Sequence, residues 1–118
     1  MSLLGGQMFA LLVRFSVRAG HEDAFDALVA QTLAAITTEE PDTIIYASHI
    51  QDGQPRVRVF YECYRSPEAF QAHEAAPHTR RFLYERIQHL AGPPEVWTLT
   101  PIAGAVTGTP LRGDGAPR

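Results

Sequence analysis

The strongest constraint on the fold of this chain is the alternation of apolar side chains between Met8 and Arg18. On one side of this stretch every residue is large and apolar: Phe9, Leu11, Val13, Phe15 and Val17. Strict alternation is typical of a β-strand, because successive side chains of a strand point to opposite faces of its sheet. The stretch therefore predicts a strand with one fully apolar face, which other elements must cover.

An amphipathic helix is predicted after this strand. Ala19-Gly20 is typical of a turn, and Glu22 and Asp23 favour the positive end of a helix. The side chains on one face then recur at helical spacing and are Phe25, Leu28, Val29, Thr32, Leu33 and Ile36. Pro41-Asp42 predicts the end of this segment.

A β-hairpin is predicted next. Thr43 to Ile50 is rich in β-branched and aromatic residues, Gln51-Asp52-Gly53-Gln54 is typical of a turn, and Arg56 to Tyr64 alternates as the returning strand. We assign one face of the returning strand to the helix side of the sheet, namely Val57, Val59, Tyr61 and Cys63. The other face is predicted to stay uncovered and carries Arg58, Phe60, Glu62 and Tyr64.

The last third of the domain predicts a broken helix and a strand. Ser66-Pro67 is typical of an N-cap followed by proline in the first helical position. This helix runs through Glu74, and Pro77 interrupts it. A second helical piece is predicted to reach Ala91, where Gly92 stops it, with a buried stripe of Phe82, Leu83, Ile87 and Leu90. Glu95 to Thr100 is the final predicted strand.

The order β-α-β-β-α-β predicts an α+β, ferredoxin-like fold, in which two helices cover one face of an antiparallel sheet. The predicted domain spans residues 8–102, and residues 103–118 are predicted to form a flexible C-terminal tail because small residues and proline dominate them. The uncovered face, with Leu12, Phe60 and Tyr64, is too apolar to stay in contact with water, so we expect a homodimer.

Composition excludes several classes of function. Ten basic and thirteen acidic residues give a net charge of −3, and no basic stripe is present to bind nucleic acid. The longest apolar run, around Met8 to Val13, is far shorter than the roughly 20 residues of a membrane span. All the basic residues are arginine, which excludes a Schiff-base lysine and a phosphate-loop lysine. We therefore expect neither a nucleic acid nor a membrane as partner.

Cysteine usage and the N-terminus predict the compartment. Cys63 is the only cysteine, so no internal disulfide can form, which fits a reducing cytoplasm. Met1 to Gln7 lacks the charged and apolar regions of a signal peptide. The predicted location is cytoplasmic.

Two stretches resemble a known family. Phe9 to Gly20 with its helix resembles the opening of the antibiotic biosynthesis monooxygenase domain. The stretch from Phe60 to His78 is similar to the family's strand-to-helix pattern of an aromatic residue, a short cap, Glu-Ala-Phe and a histidine three positions later. The resemblance covers roughly residues 8–101. It implies a dimeric α+β barrel with a ligand cavity in each protomer between the sheet and its helices.

The resemblance also implies a function. Some family members are cofactor-independent oxygenases that turn phenols or anthrones into quinones. We therefore expect a small monooxygenase that needs no cofactor and acts on an aromatic substrate (a quinol, anthrone or polyketide-like molecule) with molecular oxygen. The alternatives are a ligand-binding or dimerisation module without turnover, and an isomerase or cyclase that uses the same pocket and base.

Departures from the family pattern argue against two of the reactions that family members catalyse. Where the heme-degrading branch has asparagine, tryptophan and an iron-binding histidine, this chain has Val13, His73 and Leu83, so heme is not expected. The best-described quinone-forming branch uses an asparagine in its proton relay, and this chain contains no asparagine. The resemblance therefore predicts the fold better than the mechanism.

His73 and Tyr61 are the predicted catalytic residues. His73 lies one helical turn after Phe70, and its imidazole can accept a phenolic proton near neutral pH. The alternative is a partly buried structural histidine. Tyr61 is expected to hydrogen-bond a substrate oxygen, although a core tyrosine is as plausible. The predicted substrate-binding residues are Val13, Phe15, Tyr46, His78, Leu83 and Trp97, where Trp97 walls either the cavity or the dimer interface.

The remaining titratable residues of interest are given structural rather than catalytic roles. No metal site is expected, because His73 and His78 are five positions apart across a helix break, which is not a one-face spacing. Glu62 is interpreted as a dimer-interface residue paired with Arg14 or Arg58. Cys63 is interpreted as a small core hydrophobe.

Overall fold

The computed structural model describes residues 7–106 and 109–112. Its elements follow the predicted order and add a short hairpin at the end. They are β1 (Phe9–Ser16), α1 (Glu22–Glu39), β2 (Thr43–Gln51), β3 (Gln54–Tyr64), α2 (Pro67–Ala75), α3 (Pro77–Glu85), a 3₁₀ turn (Arg86–His89), β4 (Glu95–Leu99), β5 (Ala103–Val106) and β6 (Thr109–Arg112).

The four long strands form one antiparallel sheet in the order β2-β3-β1-β4. This is the ferredoxin-like α+β arrangement, and it confirms the predicted fold class. The β2–β3 turn contains Gly53 at a φ of 77°, and Gly20 at 85° turns the chain from β1 into α1. Both are positions where glycine avoids the cost of a left-handed backbone.

The helices cover the face of the sheet that carries the alternating apolar residues of β1. Phe25 and Leu28 of α1 and Phe82 of α3 join Val13 and Phe15 in one buried cluster. Phe25 is fully buried, and its ring centroid lies 5.4 Å from that of Phe15. The position of the core therefore agrees with the pattern of β1.

The face assignment of β3 was wrong. Leu11 is paired with Glu62, and Val13 with Phe60, and side chains paired across antiparallel strands lie on the same face. Phe60, Glu62 and Tyr64 therefore lie on the helix side, and Tyr61 with its neighbours lies on the other side. Alternation within one strand fixes which residues share a face but not which face is covered, because the register with β1 decides that.

The second helical piece is shorter than predicted. Ser66 accepts a hydrogen bond from the Ala69 amide as the N-cap of α2, and α3 begins at Pro77 as expected. However, α3 ends at Glu85 and the chain continues as a 3₁₀ turn. The tighter turn moves Ile87 out of the stripe that continues from Phe82, and Ile87 is 64 % exposed.

Residues 103–112 contain a β-hairpin, β5–β6, that the loose composition of this stretch did not predict. The flexibility of the tail stays a prediction, and residues 107–108 and 113–118 lie outside the described residues, as do residues 1–6 of the segment assessed for a signal peptide. Among the helices that the structure describes, none has the length and apolarity needed to cross a membrane.

Candidate functional site

A cavity of about 380 Å³ lies between the helix-side face of the sheet and helices α2 and α3. This volume is within the range of small-molecule pockets. Its apolar lining comes from four elements and comprises Phe9, Leu11, Val13, Phe15, Phe70, Phe82, Leu83, Pro94 and Val96. The cavity exists because β1 presents its apolar side chains to helices that the Pro77 break holds at an angle to each other. Its largely apolar lining suits an apolar ligand.

Glu62 and Glu74 both line this cavity, and Glu62 is the buried one of the two. Only 6 % of the residue is exposed, and the Tyr64 hydroxyl donates a hydrogen bond of 2.6 Å to its Oε1. Burial raises the pKa of Glu62 to about 7, and the charges of Glu74 and Glu40 add to the rise, whereas the Tyr64 hydrogen bond and the charge of Arg86 lower it. A carboxyl with such a pKa can exchange a proton with a ligand near neutral pH.

Arg86 and Tyr46 are the other polar groups close to Glu62. The Arg86 guanidinium lies 5.3 Å from the centre of the Phe15 ring and 5.7 Å from that of Phe82, which are cation–π distances. Burial lowers the pKa of Arg86, but an arginine keeps its charge in proteins. Burial and the charge of Glu62 raise the pKa of Tyr46, so this phenol stays protonated. Around Glu62 the cavity thus offers a fixed cation in Arg86 and a phenolic hydroxyl donor in Tyr46, and its wall also carries His73, Glu74, Thr79 and Thr98.

His73 lies on the cavity wall and is 3 % exposed. Its ring packs between Tyr46 and Tyr64, with centroid distances of 5.4 and 5.2 Å. The Nδ1 atom is 2.8 Å from Glu40 Oε1 and 3.3 Å from Thr79 Oγ1. Within the part of the chain that the structure describes, its Nε2 atom has no hydrogen-bond partner.

Glu40 connects His73 with His78. It follows the last residue of α1, and its carboxylate also lies against His78 Nε2 and accepts a 2.6 Å hydrogen bond from Thr43 Oγ1. Burial raises the pKa of Glu40, but the hydrogen bonds from Thr43 and His78 and the charge of His73 lower it by more, so the carboxylate is ionised. A second, smaller pocket of about 170 Å³ borders Glu40, His73 and His78.

The structure brings five of the eight predicted site residues together. They line the main cavity and are Val13, Phe15, Tyr46, His73 and Leu83. Tyr46 rather than His49 faces the cavity, since His49 is exposed and bonds through Nδ1 to the Val59 carbonyl.

The other three predicted site residues lie outside the main cavity. Tyr61 and Trp97 are both paired with Leu12, which places them on the opposite face of the sheet, and Trp97 is 47 % exposed. For Trp97, only the interface alternative is consistent with this position. His78 borders the second pocket, because the start of α3 directs it towards Glu40.

Sequence reasoning missed Glu62, Arg86 and Glu40. Glu62 was expected to pair with Arg14 or Arg58, but Arg14 contacts Glu95 at 3.2 Å and Arg58 binds Asp26 at 2.8 Å. One feature of the sequence could have indicated that Glu62 is buried. It lies on the same face of the strand as Phe60 and Tyr64, and two large aromatic residues rarely lie together on a face exposed to solvent. Cys63 is buried as expected, but on the face away from the cavity.

A family model for antibiotic biosynthesis monooxygenases matches residues 8–84. The chain belongs to the antibiotic biosynthesis monooxygenase family. The comparison with curated proteins found no match. The matched region covers β1 through α3 and so contains Glu40, Glu62, His73 and His78, whereas Arg86 and β4 lie beyond it.

Several solved structures have the same fold as this chain. A candidate antibiotic biosynthesis monooxygenase from Caulobacter crescentus is 17 % identical with a TM-score of 0.79, over 83 % of this chain and 92 % of the other. One from Nitrosomonas europaea is 19 % identical with a TM-score of 0.76, over 86 % and 96 %. Rv0793 from Mycobacterium tuberculosis is 25 % identical with a TM-score of 0.76, over 85 % and 100 %.

Proposed function

We propose that this protein is a cofactor-independent monooxygenase that oxidises a small phenol- or anthrone-type aromatic molecule with molecular oxygen. The observation that carries the proposal is Glu62, a buried carboxyl whose pKa is raised to about 7 inside a cavity of aromatic and aliphatic side chains. Family membership supports the same reaction class. Fold alone does not select it, because one fold hosts many activities.

The cavity supports an aromatic substrate. Flat rings pack favourably against the edges and faces of Phe9, Phe70 and Phe82, and hydrophobic burial supplies the binding free energy. The dry lining also excludes water from the reactive anion that the reaction forms.

In the proposed mechanism, Glu62 accepts the acidic proton of the substrate. The resulting phenolate or carbanion is stabilised by the charge of Arg86, which faces the same space. Tyr46 stays protonated and is available to donate a hydrogen bond to the substrate oxygen. These roles need an ionised Glu62, so the rate should rise as the pH increases through about 7.

The oxidation balances without an external reductant. The electron-rich anion passes an electron to oxygen, and the two radicals combine into a peroxide at the carbon that is oxidised. Loss of water from this peroxide gives a carbonyl. One oxygen atom enters the product, the other leaves as water, and both hydrogens of the water come from the substrate. The four electrons that oxygen accepts are those lost when the CH₂ group of an anthrone, or of the keto tautomer of a phenol, becomes C=O.

His73, the base predicted from the sequence, stays a candidate for a supporting role. Its Nδ1 atom is engaged by Glu40 behind the cavity wall, and its free Nε2 atom can contact a substrate oxygen. We propose Glu62 as the main base because its carboxyl is the cavity group whose pKa burial brings close to neutral pH.

We also propose that the protein is a homodimer formed through the outer face of the sheet, the face opposite the helices. This face exposes 47 % of Trp97 and 41 % of Leu99, and it contains the half-buried Leu12 and Tyr61. A continuous surface of this kind is more apolar than a monomer usually presents to water. A symmetric partner would cover it and leave the main cavity on the other side of the sheet.

Oxygen uptake by chelator-treated protein tests the proposed reaction. A panel of anthrones, quinols and simple phenols is supplied without flavin or metal, and oxygen consumption and product are measured together. We expect one oxygen molecule consumed per molecule of substrate oxidised and no accumulated hydrogen peroxide. Tight binding of the same molecules without oxygen uptake would instead identify a ligand-binding module.

Two variants separate the candidate bases. Glu62→Gln keeps the shape of the side chain and should lower turnover by a factor of ~10² to 10⁴, the usual contribution of a positioned base. It should also abolish the rise of the rate around pH 7. His73→Gln should reduce turnover less and keep that rise. The reverse ranking would assign the base to His73, as the sequence predicts.

A further inference from the structure

Three potential metal ligands meet at the junction of the helices, and one of them, His73, also lines the main cavity. Glu40 directly follows α1, His73 lies in the last turns of α2, and His78 is the second residue of α3. One ligand atom from each of the three lies within 4.8 Å of the others. The break at Pro77 makes this possible, because a continuous helix would turn His78 away from His73.

The ligand types suit a divalent transition metal. Two imidazole nitrogens and a carboxylate oxygen form a borderline donor set that Zn²⁺, Co²⁺ and Fe²⁺ bind in proteins. Each side chain is mostly withdrawn from water: the side chains of His73, Glu40 and His78 are 3 %, 10 % and 13 % exposed. Ligands held in this way lose little conformational entropy when a metal binds, since the fold has already fixed them.

The surroundings supply two further features of a metal site. The hydroxyl of Thr43 donates to Glu40 Oε1 at 2.6 Å, which orients the carboxylate as an outer-shell partner does. The second pocket, about 170 Å³ in volume, borders all three ligands and leaves space for water or a small ligand at a remaining coordination position. Three protein ligands with an open position is the arrangement of a reactive rather than a purely structural site.

We propose that Glu40, His73 and His78 bind one divalent transition-metal ion of the Zn²⁺ class. The ligand atoms are a Glu40 carboxylate oxygen, His73 Nδ1 and His78 Nε2. The open position faces the second pocket, on the far side of the main cavity wall. The site is a function of this chain beyond the proposed oxygenation and does not depend on it.

Metal binding has a defined consequence for the main cavity. A neutral imidazole that binds metal through Nδ1 carries its proton on Nε2, so His73 then presents a hydrogen-bond donor to the cavity. This state leaves the role of base to Glu62. The bound ion also ties the end of α1 to α2 and α3, so it should stabilise the folded chain by mass action.

The alternative is a cluster held by hydrogen bonds alone, in which Glu40 accepts from both imidazoles. The two arrangements differ in measurable ways, because only the first takes up a metal with defined stoichiometry. The chain contains five histidines, and His21 and His89 form another close pair, with their Nδ1 atoms 3.0 Å apart. That pair belongs to a different part of the fold and provides the matched control.

The test titrates chelator-treated full-length protein with Co²⁺ and follows its visible absorption, then displaces Co²⁺ with Zn²⁺. We expect one equivalent per chain, a spectrum typical of low coordination number, and a higher melting temperature with either ion. His78→Ala and Glu40→Gln should each abolish the spectrum. Thr43→Val, which keeps all three ligands, should weaken binding by ~10- to 100-fold. His21→Ala should change nothing.

Several results would overturn the proposal. Wild-type protein that shows neither a Co²⁺ spectrum nor a metal-dependent melting temperature contains only a hydrogen-bonded cluster. A spectrum that survives His78→Ala but disappears in His21→Ala places the metal at the other histidine pair. If Glu40→Gln fails to fold, Thr43→Val and His78→Ala still show whether the metal binds at this site. None of these readouts requires oxygenase activity, so a failure here and a failure of the proposed reaction are distinguishable.

Discussion

The two faces of strand β3 differ in how completely the rest of the molecule covers them. On the inner face, Phe60 and Tyr64 are fully buried and Glu62 is 6 % exposed. On the outer face, Tyr61 and Val59 are half-buried. Both faces therefore carry a tyrosine and an apolar side chain, yet only the inner face is enclosed by helices.

The difference shows that enclosure, rather than residue type, creates the reactive group. A carboxyl on an exposed face keeps an ordinary pKa, whereas the Glu62 carboxyl lies among aromatic rings where its charged form is poorly solvated. Burial, the charge of Cys63 and a hydrogen bond with Cys63 also raise the pKa of the Tyr61 phenol, but Tyr61 does not line the main cavity. Chemistry on this strand is thus expected from one face only.

Truncation of the two faces should produce the largest contrast in stability. Phe60→Ala removes a ring that contacts Phe15, Phe25 and Phe82, and should lower the free energy of unfolding by ~3–5 kcal/mol. Val59→Ala, one residue away on the outer face, should cost only about 1 kcal/mol. Urea denaturation measures both. Equal losses would mean that the outer face is packed as tightly as the inner one.

The pH dependence of stability should report on Glu62. The folded chain keeps the Glu62 proton up to about pH 7, whereas the unfolded chain releases it near the ordinary value of 4.5. Stability is therefore lost as the pH rises from about 4.5 to about 7, by about 3 kcal/mol for a shift of this size.

Glu62→Gln should remove this loss, because its amide does not ionise. The variant should resemble the wild type near pH 4 and exceed it in unfolding free energy above about pH 7. Tyr61→Phe, on the outer face, is the control and should keep the pH dependence of the wild type. A wild-type curve that is unaffected by Glu62→Gln would show that the carboxyl is solvated.

The smallest expected effect concerns association through the outer face. Light scattering should give twice the monomer mass of 13.0 kDa. Trp97→Ala should weaken the dimer by about 2 kcal/mol, or ~30-fold in Kd, as for a central aromatic residue of an interface. Leu83→Ala, on the cavity side, should leave the mass unchanged. A wild-type monomer at micromolar concentration would contradict the proposed interface.

The sequence predicted most of the architecture because local patterns specify it. Alternation in β1, helical spacing in α1, the turn at Gly53 and the Ser66 cap each depend on neighbours in the chain, and all four were found. The sequence also assigned Tyr46, His73 and Leu83 to the cavity, and all three line it. The family resemblance and the alternation of side chains along a strand were sufficient for this assignment.

The sequence by itself determined the order of elements, their approximate ends and the apolar face of β1. Only the tertiary structure decided which face of β3 meets the helices, because register is a contact between strands that alternation within one strand does not encode. The same holds for Glu40, His73 and His78, which are brought together by the angle between α2 and α3 at the proline break. Local periodicity predicts elements, whereas sites built from distant segments depend on how those elements pack.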